Sequence, residues 1–118
     1  MDNLIKAIAR LIELTQKGVI RWERGDPPDS TATGDRVEVA FLTEYDGKRL
    51  RMFRQRSKVE MDQHRFEWFQ NPVLQIVDLD GTTLREFPHL VALHDLMDAV
   101  EDQISGAGDW IEKLASGG

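Results

Sequence analysis

The sequence predicts an α+β fold, an antiparallel β-meander of four to five strands flanked by N-terminal and C-terminal amphipathic helices. Apolar residues recur at helical spacing near both ends of the chain. Two Asp-Gly pairs, at 46–47 and 80–81, are typical of tight hairpin turns and are flanked by strand-forming residues. With 118 residues, the chain is predicted to form a single domain spanning 1–118.

The first helix is predicted over residues 3–17. Its apolar stripe consists of residues spaced by three or four positions, namely Leu4, Ile5, Ile8, Leu11 and Ile12. Gly18 supplies the left-handed residue that commonly ends a helix. A short strand is expected next, over 19–23, followed by a proline-containing loop over 25–34 whose order the sequence leaves open.

The Asp46-Gly47 pair predicts a hairpin with a two-residue type I′ turn. This turn fixes the register of both strands. The expected partners on one face are Tyr45 and Lys48, Thr43 and Leu50, Phe41 and Met52, and Val39 and Arg54; on the other face they are Glu44 and Arg49, Leu42 and Arg51, and Ala40 and Phe53.

A second two-residue turn at Asp80-Gly81 is predicted to place Val77 opposite Leu84 and Ile76 opposite Arg85. The segment between the hairpins, 57–70, fits either helix or strand. Its beginning resembles a helical capping box, whereas its second half alternates like a strand. A strand is favoured from about Phe66, with Asn71-Pro72 interrupting it.

A second helical stripe follows Pro88 and consists of Leu93, Leu96, Met97, Val100 and Ile104. The glycines at 106 and 108 break this helix, and Asp109 is expected to cap a last short helix. That helix would carry Trp110, Ile111 and Leu114 against the body of the domain or against a partner.

Composition restricts the function. The absence of cysteine excludes a disulfide framework and a cysteine nucleophile and fits a cytoplasmic protein. Neither a signal peptide nor a membrane-spanning run is predicted. The net charge of −6 disfavours nucleic-acid binding, although six cations crowd residues 48–58.

The string Asp78-Leu79-Asp80-Gly81-Thr82 resembles the D-x-D-G-T signature of haloacid-dehalogenase-type phosphatases. In that family the first Asp is a nucleophile and the pair helps to hold magnesium at the end of a parallel strand. Only 36 residues follow Thr82, and they are predicted to be helical. A hairpin turn is therefore favoured, and no catalytic residue, metal ligand or cofactor is predicted.

The chain also resembles small uncharacterised bacterial proteins with a helix, a T-x-x-G-x-I-x-W-E step, an antiparallel meander and a C-terminal helix. The step is matched by Thr15, Gly18, Ile20, Trp22 and Glu23. The resemblance covers most of the chain, implies the meander fold and brings no activity.

The predicted function is a non-enzymatic interaction module that binds another protein or itself, for example as a homodimer. The candidate interaction residues are Arg49, Arg51, Arg54, Arg56, Trp110, Ile111 and Leu114, because Arg and Trp are enriched at binding hot spots. One alternative is nucleic-acid binding by the arginines beside Phe53, Phe66, Trp68 and Phe69. Against it, Arg49 and Arg51 are expected to pair with acids on a solvated sheet face while the aromatics fill the core; the expected acids are Glu38, Glu44 and Glu67. A metal-dependent phosphatase at Asp78 and Asp80 is the weaker alternative.

Overall fold

The computed structural model describes residues 2–26 and 39–117 and has the predicted α+β architecture. Five antiparallel strands form one sheet in the order β1-β2-β3-β4-β5, so every strand pairs with its neighbours in sequence. Residues 27–34 of the predicted proline loop lie outside the described ranges. The elements are α1 (Asp2–Gln16), β1 (Glu23–Gly25), β2 (Ala40–Tyr45), β3 (Lys48–Asp62), β4 (Arg65–Val77), β5 (Thr83–Glu86), α2 (Ala92–Ser105) and α3 (Ala107–Ala115).

The main core lies between the two long helices and one face of the sheet, which we call the helix face. Phe41, Met52 and Leu74 are register partners across β2, β3 and β4 and therefore share that face. Burial of the predicted stripes of α1 and α2 against it supplies the main driving force for folding. The buried members are Ile8, Leu14, Ile20, Trp22, Phe41, Leu50, Met52, Leu74, Leu93, Leu96, Met97 and Val100. A smaller cluster of Ala40, Phe53 and Val73 lies on the opposite face.

The register predicted for the first hairpin is confirmed in every pair from Tyr45–Lys48 to Ala40–Phe53. Asp46 has φ 50° and Gly47 has φ 79°, the two positive angles of a type I′ turn. The recorded β2–β3 pairing ends at Ala40, so it does not extend to the pair expected between Val39 and Arg54.

The second hairpin departs from the prediction by one residue. Ile76 does pair with Arg85, but Val77 pairs with Thr83 instead of Leu84. The amide of Asp78 donates to the carbonyl of Thr82 at 3.0 Å, which leaves three residues in the loop. Gly81, at φ 87°, occupies the left-handed position that a three-residue loop requires.

The ambiguous segment 57–70 is strand on both sides of a turn at residues 63–64, so the helical alternative is wrong. The strand also continues through Asn71-Pro72, which was expected to interrupt it. The Phe87 amide donates to the Leu74 carbonyl at 2.9 Å, so even-numbered residues of β4 direct their backbone groups away from β3. The N–H that Pro72 lacks would have pointed to the outer edge of β4, so its absence removes no hydrogen bond to β3.

Two expectations at helix ends are wrong. The strand expected over 19–23 begins only at Glu23, because the turn that follows α1 is tied back by the Ile20 amide, which donates to the Leu14 carbonyl at 3.2 Å. The last helix begins at Ala107, with Gly106 at φ 68° as its first capping residue, and Asp109 lies inside its first turn. Gly106 alone therefore ends α2, and Gly108 lies within α3.

Candidate functional site: the β3–β4 arm

The arginines that cluster in the sequence do not form one surface. Side chains alternate between the two faces of a strand. On β3 the alternation puts Arg54 and Arg56 on the helix face with Met52, and it puts Arg49 and Arg51 on the opposite face with Phe53. The structure therefore separates the predicted arginine site into two pairs.

Arg51 is buried, with 5% of its surface exposed. Its Nε and Nη2 donate to Gln75 Oε1 at 3.0 and 2.8 Å, and Nη1 donates to the carbonyl of Gly81 at 3.0 Å. Nη2 also donates to Thr83 Oγ1 at 2.9 Å. This guanidinium holds the β4–β5 turn and belongs to the folded framework.

Arg54 connects the sheet to α2. Its Nη2 and Nε donate to the two carboxylate oxygens of Glu101 at 2.6 and 3.2 Å, and Nη2 also reaches Asp98 Oδ1 at 3.3 Å. The hydrogen bonds to Glu101 raise the pKa of Arg54 above its ordinary value, and the nearby Asp98 charge acts in the same direction. Arg54 stays a cation and serves mainly to position α2.

Arg49 and Arg56 are engaged differently. Arg49 Nε lies 3.5 Å from Glu44 Oε1, an ion pair without hydrogen-bond geometry, which agrees with the predicted pairing of these residues. Glu38, another expected partner, lies outside the described residues. Arg56 Nε is buried and finds no hydrogen-bond acceptor within the described ranges. Of the two predicted interaction arginines on the helix face, Arg56 is therefore the one whose Nε lacks a hydrogen bond to a described residue.

Five exposed large apolar side chains of the sheet lie on one two-stranded projection, which we call the arm: residues 56–62 of β3, the turn, and residues 65–70 of β4. β2 is paired with β3 only as far as Phe53, and β5 is paired with β4 only from Gln75. Strands of 15 and 13 residues exceed the usual length of about 3–10. The arm is the part of these strands that extends past both neighbours.

The expectation that the aromatic residues beside the arginines fill the core is wrong in the arm, where they are exposed to solvent. Phe66 is 52% exposed, Trp68 48% and Phe69 42%, whereas Phe53, outside the arm, is buried. Val59 and Met61 are exposed on β3 as well. Among the described residues no third strand pairs with the arm, so these side chains form an exposed apolar patch, the candidate binding surface of the sheet.

Two cation–aromatic pairs stand side by side on the helix face of the arm. The Arg56 guanidinium carbon lies 5.2 Å from the centre of the Trp68 ring, and Lys58 Nζ lies 4.0 Å from the centre of the Phe66 ring. Such pairs contribute about 0.5–1 kcal/mol each at exposed sites. Each pair joins a cation of β3 to a ring of β4, and about half of the surface of Phe66 and Trp68 stays exposed.

A cleft of about 220 Å³ lies where the arm joins the body, and Arg56 lines it with Phe41, Met97 and Gln70. Arg54 and Glu101 form its charged wall. The cleft is open on one side and is too small for most cofactors, since ligand pockets usually measure about 300–1,000 Å³. It extends the apolar surface of the arm toward α2.

Helix α3 carries the other predicted interaction residues. Trp110, Ile111 and Leu114 are 63%, 58% and 59% exposed. Of the two alternatives expected for them, packing against the domain body is wrong, because no residue of α3 is buried, and contact with a partner stays a prediction. They form an apolar stripe that is separate in sequence from the arm.

The D-x-D-G-T string forms the second turn. Asp78 Oδ1 accepts hydrogen bonds from the backbone amides of Asp80 and Thr82, both at 2.9 Å. The strand before it is antiparallel to both neighbours, unlike the parallel strand of the phosphatase family. Across the described ranges no three His, Cys, Asp or Glu side chains come together as a metal site.

The sequence analysis named Phe66, Trp68 and Phe69 only in the nucleic-acid alternative and otherwise expected them in the core, although a signal for their exposure was present. A stretch with large apolar residues at both odd and even positions, such as Phe66, Trp68 and Phe69, needs cover on two faces. Within the described residues two long amphipathic helices, α1 and α2, are available as cover, and both pack on the core. The apolar side chains of the arm therefore exceed what the described helices cover.

No helix formed by the described residues has the length and apolar character needed to cross a membrane. The resemblance to small bacterial proteins with the T-x-x-G-x-I-x-W-E step stays a prediction. Comparison with models of protein families, with curated proteins and with solved structures gave no match for this chain.

Proposed function

We propose that this protein is a non-enzymatic interaction module that binds another protein chain through its β3–β4 arm. The observation that carries the proposal is the exposure of Phe66, Trp68 and Phe69 on a ribbon that extends beyond the sheet. Aromatic side chains supply large contact areas at little entropic cost and dominate binding hot spots.

The charges of the arm support a protein partner. Residues 56–67 carry three cations, Arg56, Lys58 and Arg65, and three acids, Glu60, Asp62 and Glu67. A neutral ribbon gains little from a phosphate backbone, whose binding depends on several uncompensated cations. The absence of cysteine supports a role in a reducing compartment such as the cytoplasm.

Site-specific photo-crosslinking in the native cells tests the proposal. A benzophenone amino acid replaces Phe66 in one variant and Leu84 in the other. Leu84 is 64% exposed on β5 and serves as the matched control away from the arm. We expect a discrete protein adduct from position 66 and none from position 84. Equal labelling at both positions would show that the arm has no partner.

Binding to single-stranded nucleic acid is the second candidate, favoured by the Arg56–Trp68 and Lys58–Phe66 pairs, since bases stack on aromatic and guanidinium planes. It predicts retention of labelled oligonucleotides at low salt, lost on Trp68→Ala and weakened steeply by added salt. Absence of retention at low salt eliminates this candidate and leaves the first one standing.

A further inference from the structure

We propose that the partner of the arm is a second copy of this chain, joined edge to edge through β4. The outward-facing backbone groups of β4 in the arm belong to Phe66, Trp68 and Gln70, because the alternation set at Leu74 continues without a bulge along β4 to that point. Among the described residues, no strand pairs with this edge. This inference rests on the proposed role of the arm.

The open edge is bounded on both sides. The turn at 63–64 ends it at one side, and Pro72, which has no N–H, ends it at the other. The three outward-facing residues are therefore centred on Trp68. An antiparallel copy centred on the same residue pairs Trp68 with Trp68 of the second copy and Phe66 with Gln70 in both directions. That register gives the N–H and C=O groups of Phe66, Trp68 and Gln70 one partner each.

The side chains suit this arrangement. A two-fold axis perpendicular to the sheet keeps equivalent faces on the same side, so the cation–aromatic pairs of both copies form one continuous surface. The balanced charges of residues 56–67 avoid net repulsion between two identical arms. The paired arms form a four-stranded ribbon, which is more stable than two strands alone.

Alternative self-pairings are less favourable. Centring on Glu67 places two like charges opposite each other, which destabilises a strand pair. Centring on Phe66 leaves Gln70 without a partner strand, because the second copy turns away at residue 64. Centring on Phe69 places Phe66 opposite Pro72, which cannot donate.

Sedimentation equilibrium of the full chain gives the first test. We expect a reversible dimer whose dissociation constant rises on the order of tenfold or more on Gln70→Pro, since two symmetric N–H groups are lost. Gln70→Ala is the matched control, because it removes the same side chain and keeps the N–H. The Gln70 amide points away from β3, so the proline leaves the pairing within the arm intact. A strictly monomeric native chain overturns the proposal.

Cysteine pairing tests the register, and the cysteine-free chain makes it clean. The Trp68-centred register puts Glu67 opposite Phe69 of the second copy with Cα atoms about 4.5 Å apart, within disulfide reach. We expect a covalent dimer when Glu67→Cys and Phe69→Cys variants are mixed and oxidised, and little from either variant alone or from Leu84→Cys. Dimerisation of Glu67→Cys alone, or no covalent dimer in the mixture, overturns this pairing.

The two proposals fail separately. A monomer that still gives a photo-adduct with a different protein from position 66 overturns the homodimer and keeps the arm as a binding surface. A chain that is monomeric and gives no adduct overturns both.

Discussion

Gln103 of α2 accepts a hydrogen bond at its Oε1 from the backbone amide of Trp22, at 2.7 Å. The Nε2 group of the same side chain donates to the carbonyls of Ile20 and Thr15 at 2.7 and 2.9 Å. One amide thus satisfies three backbone groups in the connection after α1. Trp22 Nε1 in turn donates to Thr15 Oγ1 at 3.1 Å. The T-x-x-G-x-I-x-W-E step is accordingly a structural element that fixes α1, β1 and α2 together.

Replacing Gln103 with Ala should therefore destabilise the fold. The truncation leaves partly buried backbone groups of Trp22, Ile20 and Thr15 without partners, at a cost of about 1–3 kcal/mol in the free energy of unfolding. Asp102→Ala, next to it on the exposed side of α2, should change this free energy by less than about 0.5 kcal/mol. Urea unfolding followed by tryptophan fluorescence measures both. Equal effects of the two substitutions would contradict this role of Gln103.

The Arg54–Glu101 contact should show measurable coupling. It is bidentate and only partly exposed, so a double-mutant cycle with Arg54→Ala and Glu101→Ala should give about 1 kcal/mol, the upper end of the range for solvent-accessible ion pairs. The Arg49–Glu44 ion pair, longer and more exposed, is the internal comparison and should give about 0–0.5 kcal/mol. A coupling at Arg49–Glu44 as large as that at Arg54–Glu101 would argue against a positioning role for Arg54.

Gly81 should be sensitive to substitution because its φ of 87° is unfavourable for residues with a Cβ. Gly81→Ala is expected to lower the free energy of unfolding by about 1 kcal/mol or more, since the native angle is incompatible with alanine. Gly81→Asn should lose less, because Asn tolerates left-handed backbone angles. Thermal unfolding of the two variants checks the order. Alanine tolerated as well as asparagine would contradict the three-residue loop.

Acid should remove a small stabilising contribution at the end of α1. Hydrogen bonds from Lys17 and then Arg10 hold the pKa of Glu13 below its ordinary value of 4.5. The folded state thus favours the ionised form, so the contribution is present above pH 4.5 and is lost as the pH falls through the lowered pKa. We expect Glu13→Gln to melt below the wild type at pH 7 and the two curves to converge on acidification. High salt at pH 7 should narrow the gap as well, because these groups are exposed.

The fold was predictable where local rules and tertiary packing agree. The Asp46-Gly47 turn determines its register locally, and the apolar stripes of α1 and α2 pack on the core except for Ile5, which is exposed. The register predicted for the second turn was wrong because an Asp-Gly pair also fits a three-residue loop, in which Gly81 forms a bulge. That choice depends on the Asp78 side chain, which binds the amides of Asp80 and Thr82.

The candidate site was harder to predict because it depends on what covers each face. The four predicted arginines are close in sequence, but the alternation of β3 places them on two faces. Arg51 is hydrogen-bonded to Gln75 and Arg54 to Glu101. The exposure of Trp68 depends on where β2 and β5 stop. The residues of the arm do not themselves indicate how far β2 and β5 extend.

Pro72 also bears on the risk of uncontrolled assembly. An unprotected strand edge is a template on which further chains can add and grow into fibres. The missing N–H at Pro72 and the short strand β5 beyond it confine the open part of β4 to three outward-facing residues. A single added strand pairs with all three of these residues. Replacing Pro72 with a β-branched residue such as valine would restore the N–H and lengthen that template by one outward-facing residue.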